Sequence, residues 1–116
     1  MDKAVFPAFS SIAPVANPPK PELRPFYEEL LDSASYSRRA EAVGALANLP
    51  ADHGTIAKFR AQINDQAPIA VVTGCIHALA KWDAKGNADV FQKALKIPSR
   101  LDRISRAAQE GLDAAK

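Results

Sequence analysis

The chain has 116 residues, which fits one domain large enough to bury a core without a metal or a disulfide. Its 47% hydrophobic and 24% charged content lies in the globular range and argues against a chain that is disordered throughout. The single cysteine excludes an internal disulfide, and no apolar run approaches the length of a membrane span. Compartment does not follow from cysteine usage, so cytoplasm is only a default.

The formal net charge of +2 is divided unevenly along the chain. Residues 1–57 carry five Lys or Arg against seven Asp or Glu, whereas residues 58–116 carry ten against six. This asymmetry is compatible with an acidic partner at the C-terminal end. It falls short of the dense basic face typical of a nucleic-acid-binding protein.

Residues 1–20 are expected to form an extended, Pro-rich arm or linker. Four prolines interleaved with apolar residues forbid a regular helix here. A signal peptide is the less favoured alternative, because Asp2 cancels the charge of Lys3 and prolines interrupt the apolar run. The apolar side chains of residues 4–16 are expected to lie along the helical body.

Residues 21–116 are predicted to form a domain of six helices. The first runs from about Pro21 to Asp32, and a serine-rich turn supplies N-cap candidates for a second that ends near Leu49. Asp52 is predicted to cap the third. The inward positions of the first and third helices are predicted to be Leu23, Phe26, Leu30, Ile56, Phe59 and Ile63.

The fourth helix, opened by Pro68, is apolar on two neighbouring rows and must therefore be covered from both sides. The rows are Ile69, Val72, Ile76 and Leu79, and Val71, Cys75, Ala78 and Trp82.

Gly86-Asn87 precedes a fifth helix, which Pro98 ends. Ser99 is predicted to cap the sixth helix, with Asp102 as its capping-box partner. The inward positions are predicted to be Val90, Phe91, Ala94 and Leu95 in the fifth helix, and Leu101, Ile104, Ala108 and Leu112 in the sixth.

A fixed interval relates these helices. Leu46, Leu79 and Leu112 are each 33 residues apart, which is the period of a two-helix repeat. The sequence therefore predicts an all-α fold, an α-solenoid of three antiparallel helix pairs in a right-handed stack. Glycines inside its helices are expected where helices pack closely, at Gly44, Gly74 and Gly111.

The run Ser35-Tyr36-Ser37-Arg38-Arg39-Ala40-Glu41-Ala42-Val43-Gly44-Ala45-Leu46, within three Ala-rich helical hairpins, resembles HEAT-type repeats. Its opening, together with the run Arg103-Ile104-Ser105-Arg106-Ala107-Ala108, is also similar to the C-terminal helical-repeat appendage of M1-family zinc aminopeptidases. These resemblances imply a repeat domain that is free-standing or part of a larger protein. The sequence lacks His-Glu-x-x-His, so the family's zinc site has no counterpart here.

Cys75 and His77 are the nearest candidates for a nucleophile and a base. Residues two apart on a helix point about 200° from each other, so these side chains are not expected to meet. Cys75 is interpreted as a small core residue, and His77, in register with Gly44 and Glu110, as a surface residue. No catalytic, metal-binding or cofactor-binding residue is predicted, and the chain alone is not expected to be an enzyme.

The most concentrated basic cluster is the candidate partner-binding site, with a solvated outer face as its alternative. Its members are Lys93, Lys96, Arg100, Arg103 and Arg106. We expect a non-catalytic scaffold for another protein or an adjoining domain. The alternative is a nucleic-acid-binding helical repeat, which is less favoured because no aromatic residue is interleaved for base stacking.

Overall fold

The computed structural model describes residues 20–116, and over this range the protein is all-helical, without a β-strand. The predicted arm and the packing expected for residues 4–16 lie outside the described residues. The six α-helices are α1 (Arg24–Leu30), α2 (Tyr36–Ala47), α3 (His53–Gln62), α4 (Ile69–Asp83), α5 (Ala88–Ala94) and α6 (Arg103–Ala114). Short 3₁₀ turns, Pro21–Leu23 and Arg100–Asp102, precede α1 and α6.

Two predicted capping positions start their helices. The Ser35 hydroxyl accepts a hydrogen bond from the Arg38 backbone N–H at 3.4 Å, at the start of α2. Asp52 Oδ2 accepts from the Thr55 backbone N–H at 3.2 Å, at the start of α3. Each side chain satisfies an N–H that has no partner within its helix. Pro68 is the N-cap of α4, one position before the predicted one.

Helix α4 lies at the centre of the packing, as its apolar sequence predicts. It packs against α2, α3 and α6, while α1 packs on α2 and α5 packs on α6. Ile69 and Trp82, at its two ends, are partly buried. Its buried residues are Val71, Val72, Cys75, Ile76, Ala78 and Leu79.

The predicted inward face of α1 is wrong by one residue. Tyr27 and Leu31 are buried, whereas Leu23 and Phe26 are 37% and 40% exposed. Leu30 is partly buried. The prediction for α3 was closer, because Phe59 and Ile63 are fully buried and Ile56 is partly buried.

A polar network explains the rotation of α1. Arg24 donates through Nη1 to Thr55 Oγ1 (2.8 Å) and through Nη2 to the Pro50 carbonyl (2.8 Å). The Thr55 hydroxyl in turn donates to Glu28 Oε2 at 2.6 Å. Because Arg24 and Glu28 are one helical turn apart, both can bind α3 only when this face of α1 is turned toward it. The adjacent positions Tyr27 and Leu31 then face the core.

The start of α6 also differs from its prediction. Leu101 and Asp102 have φ values of 58° and 56°, so the helix begins only at Arg103. Leu101 is consequently 73% exposed rather than part of the inward stripe. Ser99 does reach the helix, since its Oγ accepts from the Ile104 N–H at 2.9 Å, but Asp102 makes no side-chain capping bond. The capping-box prediction is therefore wrong.

Further polar contacts join non-consecutive helices. Arg60 of α3 binds Asp89 of α5 at 2.6 Å and Asn87 Oδ1 at 3.0 Å. Asn87 is buried, and its amide also donates to the Asp83 carbonyl at 2.8 Å. Lys81 Nζ donates to the Ala47 carbonyl at 2.9 Å, linking α4 to the end of α2.

Two of the three glycines for which close packing was expected do lie at close contacts. A Cβ at Gly74 would lie 2.8 Å from Cγ1 of Val43, and one at Gly111 would lie 2.9 Å from the Phe91 ring. Gly44 has no such neighbour within 4 Å and is exposed, so the expectation of close packing is wrong there.

Candidate functional site

Helix α4 packs between α2 and α6, and we call the exposed side of these three helices the α2–α4–α6 face. Gly44, His77 and Glu110 occupy equivalent positions 33 residues apart on the three helices, and all three are exposed. The prediction that His77 lies on the surface is confirmed. Ala70, two turns before His77, is exposed on the same side of α4.

A shallow groove between α4 and α6 interrupts this face and is the candidate site, here called the α4–α6 groove. Its volume is about 210 Å³. It is lined by Thr73, His77, Arg103, Arg106, Ala107 and Glu110. The wall formed by α4 and the wall formed by α6 each contribute polar groups, while Ala107 is buried. The groove is therefore open to solvent and carries polar groups on both of its walls.

The charges in the α4–α6 groove are not balanced. Nε2 of His77 lies 3.5 Å from Oε1 of Glu110, a contact that becomes an ion pair when His77 is protonated. Within residues 20–116, Arg103 and Arg106 have neither an ion pair nor a side-chain hydrogen bond. With neutral His77, two arginines and one glutamate give the groove a formal charge of +1.

The remaining polar group of the groove is already partly satisfied. The Thr73 hydroxyl donates to the Ile69 carbonyl at 3.0 Å, within the same helix. Its lone pairs can still accept a hydrogen bond, but its proton is used. The donors available to a ligand are thus the two guanidinium groups and the imidazole. Such a set of donors binds anions. In particular, the planar guanidinium group of an arginine can donate two parallel hydrogen bonds to one carboxylate.

The structure divides the predicted basic cluster into separate regions. Arg103 and Arg106 line the α4–α6 groove. Lys93 and Lys96 instead line a cleft of about 290 Å³ beside the end of α3, together with Asn64, Asp65, Ile97 and Pro98. Arg100 lies in the 3₁₀ turn before α6 and lines neither cavity. All five side chains are exposed, and neither cavity is lined by more than two of them.

Cys75 and His77 are separated as their helical spacing predicts. Cys75 is fully buried in the core, whereas the His77 side chain is 59% exposed. Burial in the apolar core raises the pKa of the Cys75 thiol far above its usual value, because the thiolate would lose its hydration. The thiol is therefore held in its neutral form and serves as packing volume.

Among residues 20–116, no three or more His, Cys, Asp and Glu side chains are grouped so that they could hold a metal ion. None of the helices in this range is long and apolar enough to cross a membrane.

His77, Thr73 and Glu110 line the groove but were not in the predicted basic cluster. The 33-residue register offers a signal for them, because it aligns His77 with Glu110 and Thr73 with Arg106 on adjacent helices. A search for high charge density considers only residues that are close together in the sequence. It cannot detect a groove whose second wall comes from a helix earlier in the chain.

Comparison of the chain with known protein families, with curated proteins and with solved structures finds no match.

Proposed function

We propose that the protein is a non-catalytic helical-repeat scaffold, an α-solenoid that presents the α2–α4–α6 face to another protein or to an adjoining domain. The supporting architecture is the row in which α4 packs on both α2 and α6. In this proposal the consecutive helices form three antiparallel pairs of HEAT type. A narrower form follows the aminopeptidase resemblance, with the chain as the C-terminal repeat domain of a larger M1-type metallopeptidase-like protein.

The observation that carries this proposal is that some polar side chains join helices to one another, whereas others face solvent without a partner. The long-range hydrogen bonds of Arg24, Arg60 and Lys81 hold helices to one another. The buried thiol of Cys75 fills the core. By contrast, Arg103 and Arg106, which have no side-chain partner among residues 20–116, lie outward in the α4–α6 groove. This distribution is the one expected of a rigid helical scaffold that binds a partner through its surface.

A matched pair of variants tests the scaffold proposal. Gly44→Arg with Ala70→Arg adds two cations to the α2–α4–α6 face, and Ala57→Arg with Ala61→Arg adds two to exposed positions of α3. The full chain and both variants are used in quantitative affinity capture from the cells that produce the protein. We expect bound proteins to be lost only with the first variant. Capture that is equal for both variants, or absent for the wild type, contradicts the proposal.

The alternative of a nucleic-acid-binding helical repeat draws support from Arg100, Arg103 and Arg106, which lack partners in residues 20–116. Their separation from Lys93 and Lys96 counts against a continuous track for a phosphate backbone. Titration with a labelled oligonucleotide at rising salt distinguishes the two functions. Phosphate binding weakens steeply with salt concentration, whereas docking of a protein face responds less.

A further inference from the structure

The arginines of residues 20–116 fall into two groups. Those of the first three helices are engaged: Arg24 with Thr55 and Pro50, Arg38 with Glu41, Arg39 with Gln62, and Arg60 with Asp89 and Asn87. The other three, Arg100, Arg103 and Arg106, have no side-chain partner within this range. The second group therefore retains its full donor capacity for a ligand.

Two members of the second group are held side by side. Arg103 and Arg106 are three residues apart on α6, so their side chains lie on one face, and both line the α4–α6 groove. Arg106 and Glu110 are four residues apart and could pair along the helix. Glu110 instead contacts His77 on α4. The two guanidinium forks are thus left facing the groove without an internal counter-ion among the described residues.

We propose that the α4–α6 groove binds carboxylate side chains of an acidic peptide segment, a partner chemistry that rests on the scaffold function proposed above. The formal charge of +1 in the groove complements a single carboxylate. Glu110 inside the groove disfavours a phosphate dianion or a run of phosphodiesters. Paired arginines one turn apart offer the bidentate donors that a carboxylate accepts. The rest of α6 adds Asp113 rather than further cations, so the positive region is local.

Glu110 has an opposite role to the arginines in this site. Its carboxylate occupies the same groove as the ligand and contacts His77, a donor that the ligand could use. Removing its charge eliminates a like-charge repulsion and releases His77. Removing the arginine charges should therefore weaken ligand binding, whereas removing the Glu110 charge, one helical turn away, should strengthen it. Nonspecific attraction of an acidic ligand to the whole protein would not depend so strongly on individual residues of the groove.

The test uses the full chain and a short fluorescein-labelled peptide of alternating glutamate and serine, with a glutamine-for-glutamate peptide as the neutral control. Binding is followed by fluorescence anisotropy at physiological salt. Arg103→Gln with Arg106→Gln should weaken binding about tenfold or more, as the loss of two charge-assisted hydrogen bonds implies. Glu110→Gln should tighten it about two- to fivefold. Circular dichroism and thermal melting verify that each variant is folded.

The matched control is Lys58→Gln with Lys85→Gln, which removes two exposed cations outside the groove. We expect it to change the affinity by less than about twofold, because screening weakens distant charges. Equal weakening in the control and arginine variants overturns the proposal, as does weaker binding in Glu110→Gln. The absence of binding to the glutamate peptide also overturns it.

Two further results separate this inference from the scaffold proposal. If a labelled single-stranded oligonucleotide binds more tightly than the glutamate peptide through the same arginines, the ligand is a phosphate backbone and the acidic-peptide proposal is wrong. If the glutamate peptide fails while the Gly44→Arg, Ala70→Arg variant still loses a protein partner, only the partner chemistry is wrong. If the substitutions reduce neither the capture of a protein partner nor the binding of the peptide, both proposals are wrong.

Discussion

At the scale of single residues, two helical glycines predict opposite effects of the same substitution. Gly44→Ala should raise the free energy of unfolding by about 0.5–1 kcal/mol, because alanine is the better helix former and the site is open. Gly74→Ala should lower it, because the new methyl group would lie 2.8 Å from Val43 and force the two helices apart. Urea denaturation measures both. A stabilisation of equal size in the two variants would contradict the close packing of α4 on α2.

Cys75 supplies a second prediction at this scale. Its burial and raised thiol pKa should make it unreactive toward a thiol-specific reagent such as DTNB in native buffer. Labelling should become complete when urea unfolds the protein. Because the chain has one cysteine, the signal reports this residue alone. Native-state labelling at the rate of a free thiol in the same buffer would show that the α4 core opens readily.

At the scale of helices, the register of α1 could not be predicted from apolar periodicity. The pairs Phe26-Tyr27 and Leu30-Leu31 place two aromatic and two aliphatic residues side by side, so either row can serve as the inward face. Tyr27, Phe59 and Phe91 are the large buried aromatic residues of α1, α3 and α5. They are spaced by 32 residues, whereas the equivalent leucines of α2, α4 and α6 are spaced by 33. The deciding contacts of Arg24 and Glu28 with Thr55 are polar and long-range, and a hydrophobic pattern does not encode them.

The contact between α3 and α5 predicts a pH dependence. The Arg60 guanidinium hydrogen-bonds the Asp89 carboxylate and lowers the pKa of that carboxyl group. A pKa that is lower in the folded state stabilises the protein above the unfolded pKa, about 3.9, and this stabilisation is lost as pH falls through the folded value. Asp89→Asn should therefore destabilise by about 1 kcal/mol or less near pH 6, since the pair is exposed. The difference should shrink toward zero as the pH falls through the lowered pKa of Asp89 in the folded protein.

A double-mutant cycle checks the origin of this effect. In a background of Arg60→Gln, the Asp89→Asn substitution should have little effect on stability at any of these pH values. Urea denaturation at several pH values gives the required free energies. If Asp89→Asn destabilises equally with and without Arg60, the ion pair is not the source of the pH dependence.

At the scale of the whole molecule, positions 33 residues apart on α2, α4 and α6 share their environments. Ala42, Cys75 and Ala108 are all fully buried, whereas Gly44, His77 and Glu110 are all exposed. The 33-residue period therefore predicts which positions of α2, α4 and α6 are inside and which are outside. It does not predict the α4–α6 groove, because the depth of a groove depends on side-chain directions across two helices. The left-handed backbone at Leu101 and Asp102 could not be predicted either, because neither position is a glycine.

The proposed stack predicts that equivalent leucines differ in their energetic importance. Leu79 is fully buried in α4, which packs against α2, α3 and α6, whereas Leu112 is partly buried in α6, which packs against α4 and α5. Leu79→Ala should cost about 2–5 kcal/mol, because surrounding helices prevent the cavity from collapsing. Leu112→Ala should cost less, since its site is incompletely covered and the side chain already contacts solvent. Urea midpoints compare the two variants. Equal midpoints would indicate that the Leu112 site is as enclosed as the Leu79 site and would count against the proposed stack.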